Sequence, residues 1–303
     1  MPDYFQPVRF GYFLIPDASD APGVLRLARL ADELGLDLIG IQDHPYQRRF
    51  LDAWTLLTAV AMQTQHVHVF PDVASLPLRP PAVMAKAAAS LDLLSGGRFE
   101  LGLGAGAFWD AIAAMGGPRR SRGEAFAAIS EALRVIRLMW SGERGVRFAG
   151  KHYQLAGVHA GPQPAHNIGI WIGATGPKML DLIGREADGW IPSSSYVTPE
   201  QLPALQQIID EAAEGAGREA YTIRRLYNVM GNISDGDSRG FLDGPAEQWV
   251  DELTALVVER GMDTFIFAPS ANPAGQLERF AHEVAPQVRE RVASERGRGT
   301  GMA

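Results

Sequence analysis

The order of elements constrains this chain more than any single residue does. Strand-like and helix-like stretches alternate almost throughout, eight times over. Such alternation is the mark of parallel strands joined by crossover helices. "VRFGYFLI" (Val8 to Ile15) reads as the first strand. A helix follows in which Val24, Leu27, Ala28, Ala31 and Leu34 share one face, and Gly35 supplies its stop. "LDLIGIQD" and "HVHVFPDVAS" are the second and third strands. In "FELGLGAG" the apolar Phe99, Leu101 and Leu103 alternate with Glu100, Gly102 and Gly104, the period of a strand. The fifth strand starts at Ile168, and "GWIPSSS", "YTIRRLYNVMGNI" and "DTFIFAP" supply the last three. Between them, Pro80-Pro81 opens one helix, and Phe126, Ile129, Leu133 and Ile136 mark a long one. Thr198-Pro199-Glu200-Gln201 reads as a capping box with proline at the first helical position.

Closing eight such units gives a (β/α)8 TIM barrel, a fold of about 250 residues that tolerates insertions. The chain has 303 residues, and its extra length has a place. Alternation lapses from Ser141 to Asn167 (141-167), where "GVRFAGKHYQL" reads as a hairpin around Ala149-Gly150 inserted before strand five. No linker divides the chain, so residues 1-293 are expected to form one domain, and "SERGRGTGMA" (294-303) a disordered tail. An open doubly wound sheet is the rival, since "GLGAGA" (Gly102 to Ala107) fits G-x-G-x-x-A. That dinucleotide fingerprint needs a helix running on from the glycines and then a strand ending in an acid. Gly116-Gly117-Pro118 interrupts the first and a long helix occupies the place of the second, so the fingerprint is rejected.

In a parallel barrel the chemistry belongs at the carboxyl ends of the strands. Those ends read Asp43-His44, Val73-Ala74-Ser75, Gly104-Ala105-Gly106, Gly173-Ala174-Thr175-Gly176 and Ser193-Ser194-Ser195. One acid–imidazole pair thus shares a rim with small residues that let a planar ligand approach the backbone. The turn in "IWIGATGPKML" is either a plain strand–helix corner or an anion site, with Gly176 and Pro177 opening a helix N-terminus and Lys178 beside it. The "HVH" pair, His66 and His68, starts strand three and falls at the opposite face, so no metal site is expected. The absence of cysteine removes disulfides, thiolate metal sites and cysteine nucleophiles. A net charge of −7 argues against non-specific nucleic-acid binding and leaves a small-molecule substrate as the default partner. No apolar run is long enough for a membrane span, and "MPDYFQPVRF" lacks the pattern of a signal peptide, so a cytoplasmic location is expected.

Several ordered motifs now converge. "GLDLIGIQDH", "LPLRPPAVMAKAAASLDLLSGGRFELGLGAG", "RGEAFAAISEALRVIRLMWSGE", "FAGKHYQL" and "IWIGATGPKML…READGW" together resemble the luciferase-like monooxygenase family of flavin- and F420-dependent barrel oxidoreductases. The resemblance runs from about Phe10 to Trp190 and is weaker beyond. It implies a flavin, or its deazaflavin analogue coenzyme F420, at the carboxyl rim. By that resemblance Gly173, Ala174, Thr175 and Gly176 take the phosphate tail, with Gly104, Ala105 and Gly106 alongside the cofactor. Asp43 and His44 stand near the ring as the catalytic pair, with Asp43 orienting His44. Asp72, Val73 and Ala74 match a bulge, often with a non-prolyl cis peptide, that supports one ring face. The sugar-phosphate dehydrogenases of the deazaflavin branch carry a glutamate just after the strand-four glycines, where this chain has Ala107. Phe108 and Trp109 follow and suggest an apolar, aromatic-lined substrate pocket.

The expectation is hydride transfer between F420 and a small organic substrate, by a homodimer as is usual in the family. The alternative is a monooxygenase that uses reduced FMN supplied by a separate flavin reductase. A non-catalytic flavin-binding protein is the third possibility, disfavoured by the intact Asp43-His44 pair. F420 carries the longer anionic chain and calls for a basic exit groove. Lys178, Arg185, Arg224 and Arg225 are candidates for it, and solvation on a helix face accounts for them equally well.

Overall fold

The computed structural model describes residues 3–300. Along the chain, β1 (Arg9–Leu14) leads to α1 (Ala21–Glu33), whose N-cap Asp20 accepts the Gly23 N–H. β2 (Leu38–Ile41) leads to α2 (Ala53–Gln63), capped in the same way by Asp52. The third barrel strand comes in two pieces, β3 (His68–Pro71) and β4 (Ala74–Ser75), separated by an Asp72–Val73 peptide that is cis. The family resemblance places such a bond in this stretch. α3 (Pro81–Ser95) ends on Gly96 at φ 70°, the left-handed position that favours glycine. β5 (Leu101–Gly104) is followed by a short α4 (Trp109–Ala114) and the long α5 (Arg122–Trp140), opened by a Ser121–Glu124 capping box.

β6 (Val146–Ala149) and β7 (Gln154–Val158) pair antiparallel outside the barrel and form the expected hairpin insertion. β8 (Ile170–Ile172), α6 (Pro177–Glu186), β9 (Gly189–Trp190), α7 (Leu202–Gly215) and β10 (Arg224–Ile233) restore the alternation. β11 (Asp243–Gly244) pairs with the end of β10 ahead of α8 (Ala246–Val258). β12 (Thr264–Pro269), α9 (Pro273–Arg279), a π-helical turn (Phe280–Val284) and α10 (Ala285–Thr300) complete the chain.

The strand order is β3-β2-β1-β12-β10-β9-β8-β5-β4, all parallel. Since β3 and β4 belong to one strand, the sheet closes on itself, and a parallel bridge from Val69 to Phe99 seals the lower seam. All four residues of β2 and of β5 are buried, as expected where strands are covered on both faces. Inside the barrel Leu38, Phe70, Trp171, Ile191, Leu226 and Ile266 form a plug, with Phe70 meeting Trp171 edge-on at 5.2 Å. A larger apolar shell fills the space between strands and helices.

Two expectations need correcting. α7 begins at Leu202 and not directly after Thr198: residues 198–201 form a turn ahead of it, in which the Thr198 N–H donates to Gln201 Oε1, one half of the expected capping box. The proposed tail is helical from 294 to 300 as the end of α10, where Val288 and Val292 are buried and Arg296 pairs with Asp3; residues 301–303 lie outside the described residues. Among the described residues no helix is long and apolar enough to cross a membrane.

Candidate active site

The carboxyl ends of β2, β4, β5 and β8 surround a cavity of about 350 Å³, within the range of small-molecule sites. Asp43, His44, Val73, Ala74, Gly104, Ala105, Gly106, Phe108, Gly173, Ala174 and Thr175 line it, as the strand ends suggested. Tyr46, Ser75, Ala107, Ile112 and Met179 complete the wall. Tyr46 is the notable omission from the sequence reading, although it stands only two residues beyond His44.

Asp43 is buried. Its Oδ2 accepts the Ser75 N–H at 3.0 Å and lies 3.5 Å from Arg79 Nε, while its Oδ1 has no partner. Arg79 also bonds Asp52 at the start of α2 and lies over the Trp54 ring. Burial pushes the Asp43 carboxyl up, against the Ser75 N–H and the Arg79 charge. Among the described residues no hydrogen bond joins Asp43 to His44. His44 is held instead by rings, stacked on Tyr46 with centroids 5.4 Å apart and edge-on to Phe108 at 5.4 Å. Burial lowers the imidazole pKa, with Asp43 opposing, so His44 is mainly neutral at pH 7. Burial also pushes the Tyr46 phenol up to about 12, which keeps its O–H as a donor.

The glycines have a local cause. A Cβ on Gly104 would come within 2.8 Å of Val73 Cγ2, and one on Gly173 within 3.3 Å of both Val73 methyls. These two positions must be bare for Val73 to stand at the cavity wall. Gly176 differs: an added Cβ there meets open space. It is the N-cap of α6, with Pro177 at the first helical position, so the face it clears is the one where free N–H groups meet an incoming anion.

Gly176 and Trp109 do not line the mouth. Both line an adjoining groove of about 500 Å³ that shares Ala105, Gly106 and Met179 with it, and Arg122 and Lys178 bring positive charge there. Trp109 reaches the groove because its ring lies under Gly106, whose φ of 103° suits glycine. Of the four candidate cations only Lys178 belongs to this groove. Arg185 pairs with Asp181 and Glu186 on its own helix. Arg224 pairs with Asp263 at 2.9 Å, and the fully buried Arg225 pairs with Asp210; both begin β10 and so lie at the opposite end of the barrel. Arg122, from the start of α5, takes their place. Asp72 sits beneath the mouth, with Oδ1 accepting from Asn228 Nδ2 at 3.2 Å. His68 lies at the closed end, 3.8 Å from Glu100. Among the described residues no group of three or more His, Asp or Glu side chains is arranged for a metal.

A parallel barrel with a broken third strand, a bare-walled mouth and a basic groove at the start of α6 agrees with the match of a family model, luciferase-like monooxygenase, along residues 7–239. The chain belongs to the luciferase-like monooxygenase family. Among its relatives in that family, the F420-dependent glucose-6-phosphate dehydrogenase of Kineococcus radiotolerans is 34% identical over 231 residues, 74% of this chain and 68% of that one. The F420-dependent glucose-6-phosphate dehydrogenase 1 of Rhodococcus jostii is 30% identical and aligns over 93% of this chain and 98% of its own length. The luciferase-like fold is shared with an F420-dependent secondary alcohol dehydrogenase at TM-score 0.83 and 18% identity, covering 93% of this chain and 99% of that one. It is shared too with the coenzyme F420-dependent tetrahydromethanopterin reductase of Methanopyrus kandleri, at TM-score 0.81 and 20% identity over 93% and 100% of the two chains.

Proposed function

We propose that this chain is an oxidoreductase that transfers a hydride between coenzyme F420 and a small organic substrate. The observation that carries this is the continuity of the mouth under His44 with a groove lined by Arg122 and Lys178 at the N-terminus of α6. Positive charge and free helix N–H groups along one path suit a cofactor with a phosphate and a long anionic tail. The names of relatives at 30–34% identity support the same cofactor. The unpartnered Asp43 Oδ1 offers an acceptor at the ring end, and the Val73 side chain a flat apolar wall.

Bound F420 would supply the hydride acceptor or donor. The side chains then have distinct work. His44, mainly neutral at pH 7, accepts the hydroxyl proton of an alcohol as the carbonyl forms, and returns it in the reverse direction. Asp43 is anchored by Ser75 and Arg79, so it fixes charge beside the imidazole without bonding to it. Tyr46 and Phe108 hold the imidazole plane and exclude water. Ala107 offers no acid on the strand-four side. Together with Phe108 in the wall, this favours an alcohol or carbonyl compound of apolar or aromatic character over a sugar phosphate.

A homodimer fits the exposed surface. On α3, Val83 and Leu94 are each 64% exposed and share one face with Ala87 and Ser90, and neighbouring α2 exposes Met62. Sedimentation of the purified protein tests this. The cofactor test is direct titration: F420 should bind at least about tenfold more tightly than FMN, a gap of about 1.4 kcal/mol. Equal or reversed affinities would replace this function with that of a reduced-FMN monooxygenase.

A further inference from the structure

Beneath the mouth, two polar side chains reach into the barrel axis from opposite walls and leave part of their bonding capacity open. Asp72, between β3 and β4, uses Oδ1 to accept from Asn228 Nδ2 of β10. Asp72 Oδ2 and Asn228 Oδ1 are both buried without a partner. The groups packed around this carboxyl carry no charge. Gly40 of β2 faces it, so closely that a Cβ there would lie 3.1 Å from Oδ2 and 2.8 Å from Phe70. The Asp72 N–H donates to the Ile41 carbonyl at 2.8 Å. A carboxylate with one neutral donor and no cation in such a place is an uncompensated buried charge, and the economical solution is to hold a proton. Burial pushes this carboxyl up to about 7, opposed only by the Asn228 bond. The next residue turns to the other side: Val73 packs its methyls toward Gly104 and Gly173 at the cavity wall.

We propose that Asp72 is a positioning residue that works as a neutral acid, bridging to Asn228 and holding Val73 in place against the cofactor, so that losing its proton weakens cofactor binding. This rests on the F420 function proposed above. The linkage has a definite sign. If the protonated protein is the tight-binding form, the dissociation constant is flat below the carboxyl's pKa and rises about tenfold per pH unit above it.

Other groups at the mouth titrate as well. His44 has a lowered pKa, and further burial by a ligand favours its neutral form, which strengthens binding as pH rises, the opposite sign. Asp43 is raised by burial, so it shares the sign of Asp72 and must be separated by mutation. The Tyr46 phenol, near 12, stays protonated through the range tested, and Arg79 is a cation paired to Asp43 and Asp52.

The experiment is titration of F420 into the wild type and Asp72→Asn between pH 6 and 9, followed by fluorescence. Asparagine keeps an oxygen for the Asn228 bond and cannot ionise. The variant should bind like the wild type at pH 6 and lack the tenfold-per-unit weakening above pH 7. The titration of F420 itself is common to both proteins, so the difference between the two profiles belongs to residue 72. A merely structural role would leave the two binding profiles parallel whatever the melting temperatures, and parallel profiles overturn the proposal. The second measurement needs no cofactor: since burial raises Asp43 and Asp263 as well, the infrared spectrum of the wild type minus that of Asp72→Asn should show a protonated carboxylic acid that disappears between pH 6 and 8. Its absence at pH 6 also overturns the proposal. Failure of F420 to bind at any pH overturns the cofactor assignment, and the positioning role with it, even where the infrared band is present.

Discussion

At the amino-terminal end of the barrel, the fully buried Asp92 accepts the backbone N–H groups of Phe99, Ala165 and His166 and contacts the His166 ring at 2.8 Å. Asp263, nearly as buried, takes Arg224, the Arg225 N–H and the Thr264 hydroxyl. At the carboxyl end, Asp43 and Asp72 are buried to a similar degree, yet each leaves one oxygen without a partner. The closed end uses its carboxylates to tie strands and loops together, whereas the open end leaves one oxygen of each without a bond, on Asp43 in the wall of the mouth and on Asp72 beneath it. Burial alone does not distinguish a structural acid from a functional one; the completeness of its hydrogen bonding does.

The largest effect expected from this contrast is chemical. His44→Ala should lower turnover about 10²–10⁴-fold while changing F420 affinity much less, if the imidazole carries a proton in the reaction. Steady-state kinetics beside a cofactor titration check it. A joint fall of turnover and affinity would reduce His44 to a ring contact, and near-wild-type turnover would remove it from the chemistry.

Stability should separate the two ends with opposite signs. Asp92→Ala removes the acceptor for three backbone N–H groups and one imidazole, and should cost about 3–5 kcal/mol without altering cofactor affinity. Asp72→Asn should do the reverse. A carboxyl whose folded pKa is raised is harder to ionise in the folded state than in the unfolded chain. It therefore costs stability increasingly as pH climbs from its unfolded value toward 7. The variant should melt above the wild type at pH 8, with the advantage fading toward pH 4. Melting curves at the two pH values test both, and a destabilised Asp72→Asn at pH 8 would place Asp72 with the structural acids.

Gly176→Val is a smaller perturbation at the open end. The backbone there, at φ −79° and ψ 143°, is open to any residue, and an added Cβ meets nothing within 4 Å. The fold should be untouched. Side-chain bulk at the mouth of the groove should weaken F420 binding about tenfold, roughly 1.4 kcal/mol. Unchanged affinity would make this turn a plain corner.

Much of the barrel and its rim is legible in the sequence, for a physical reason. Parallel strands place their carboxyl ends on one rim, so the residues just after each apolar run locate Asp43, His44, Val73, Gly104 and Gly173 without coordinates. The same logic excludes Arg224 and Arg225 from the rim, because they precede the apolar run of β10. Arg122 is hidden by distance along the chain, since nothing local in the sequence brings the start of α5 to the start of α6. The Asp72–Asn228 pair joins residues 156 positions apart across the barrel axis, and no local pattern marks it. Nor does periodicity say that Gly104 is bare for the sake of Val73 and Gly176 for the sake of open space.

The smallest expected effect sharpens the comparison from the closed end, where two histidines meet the same acid. His166 lies 3.4 Å from Glu100, and His68 lies 3.8 Å from it. The hydrogen bond to Glu100 is the main cause that raises His166, whereas burial lowers His68 despite the same carboxylate. A raised histidine contributes stability that is complete below its unfolded pKa of about 6.5 and is lost as pH rises through the folded value. A lowered one has the opposite sense. It costs nothing above about 6.5 and destabilises as pH falls and the unfolded chain takes up the proton first. Both groups are partly exposed, so the shifts in melting temperature will be modest. Their signs still separate them. His166→Gln should lower the melting temperature at pH 5.5 more than at pH 8, and His68→Gln should do relatively better at pH 5.5 than at pH 8. Neither substitution should alter F420 affinity, since both side chains stand at the end of the barrel away from the mouth. A change in cofactor binding from either would mean that the two ends are coupled, and the division of labour between them would fail.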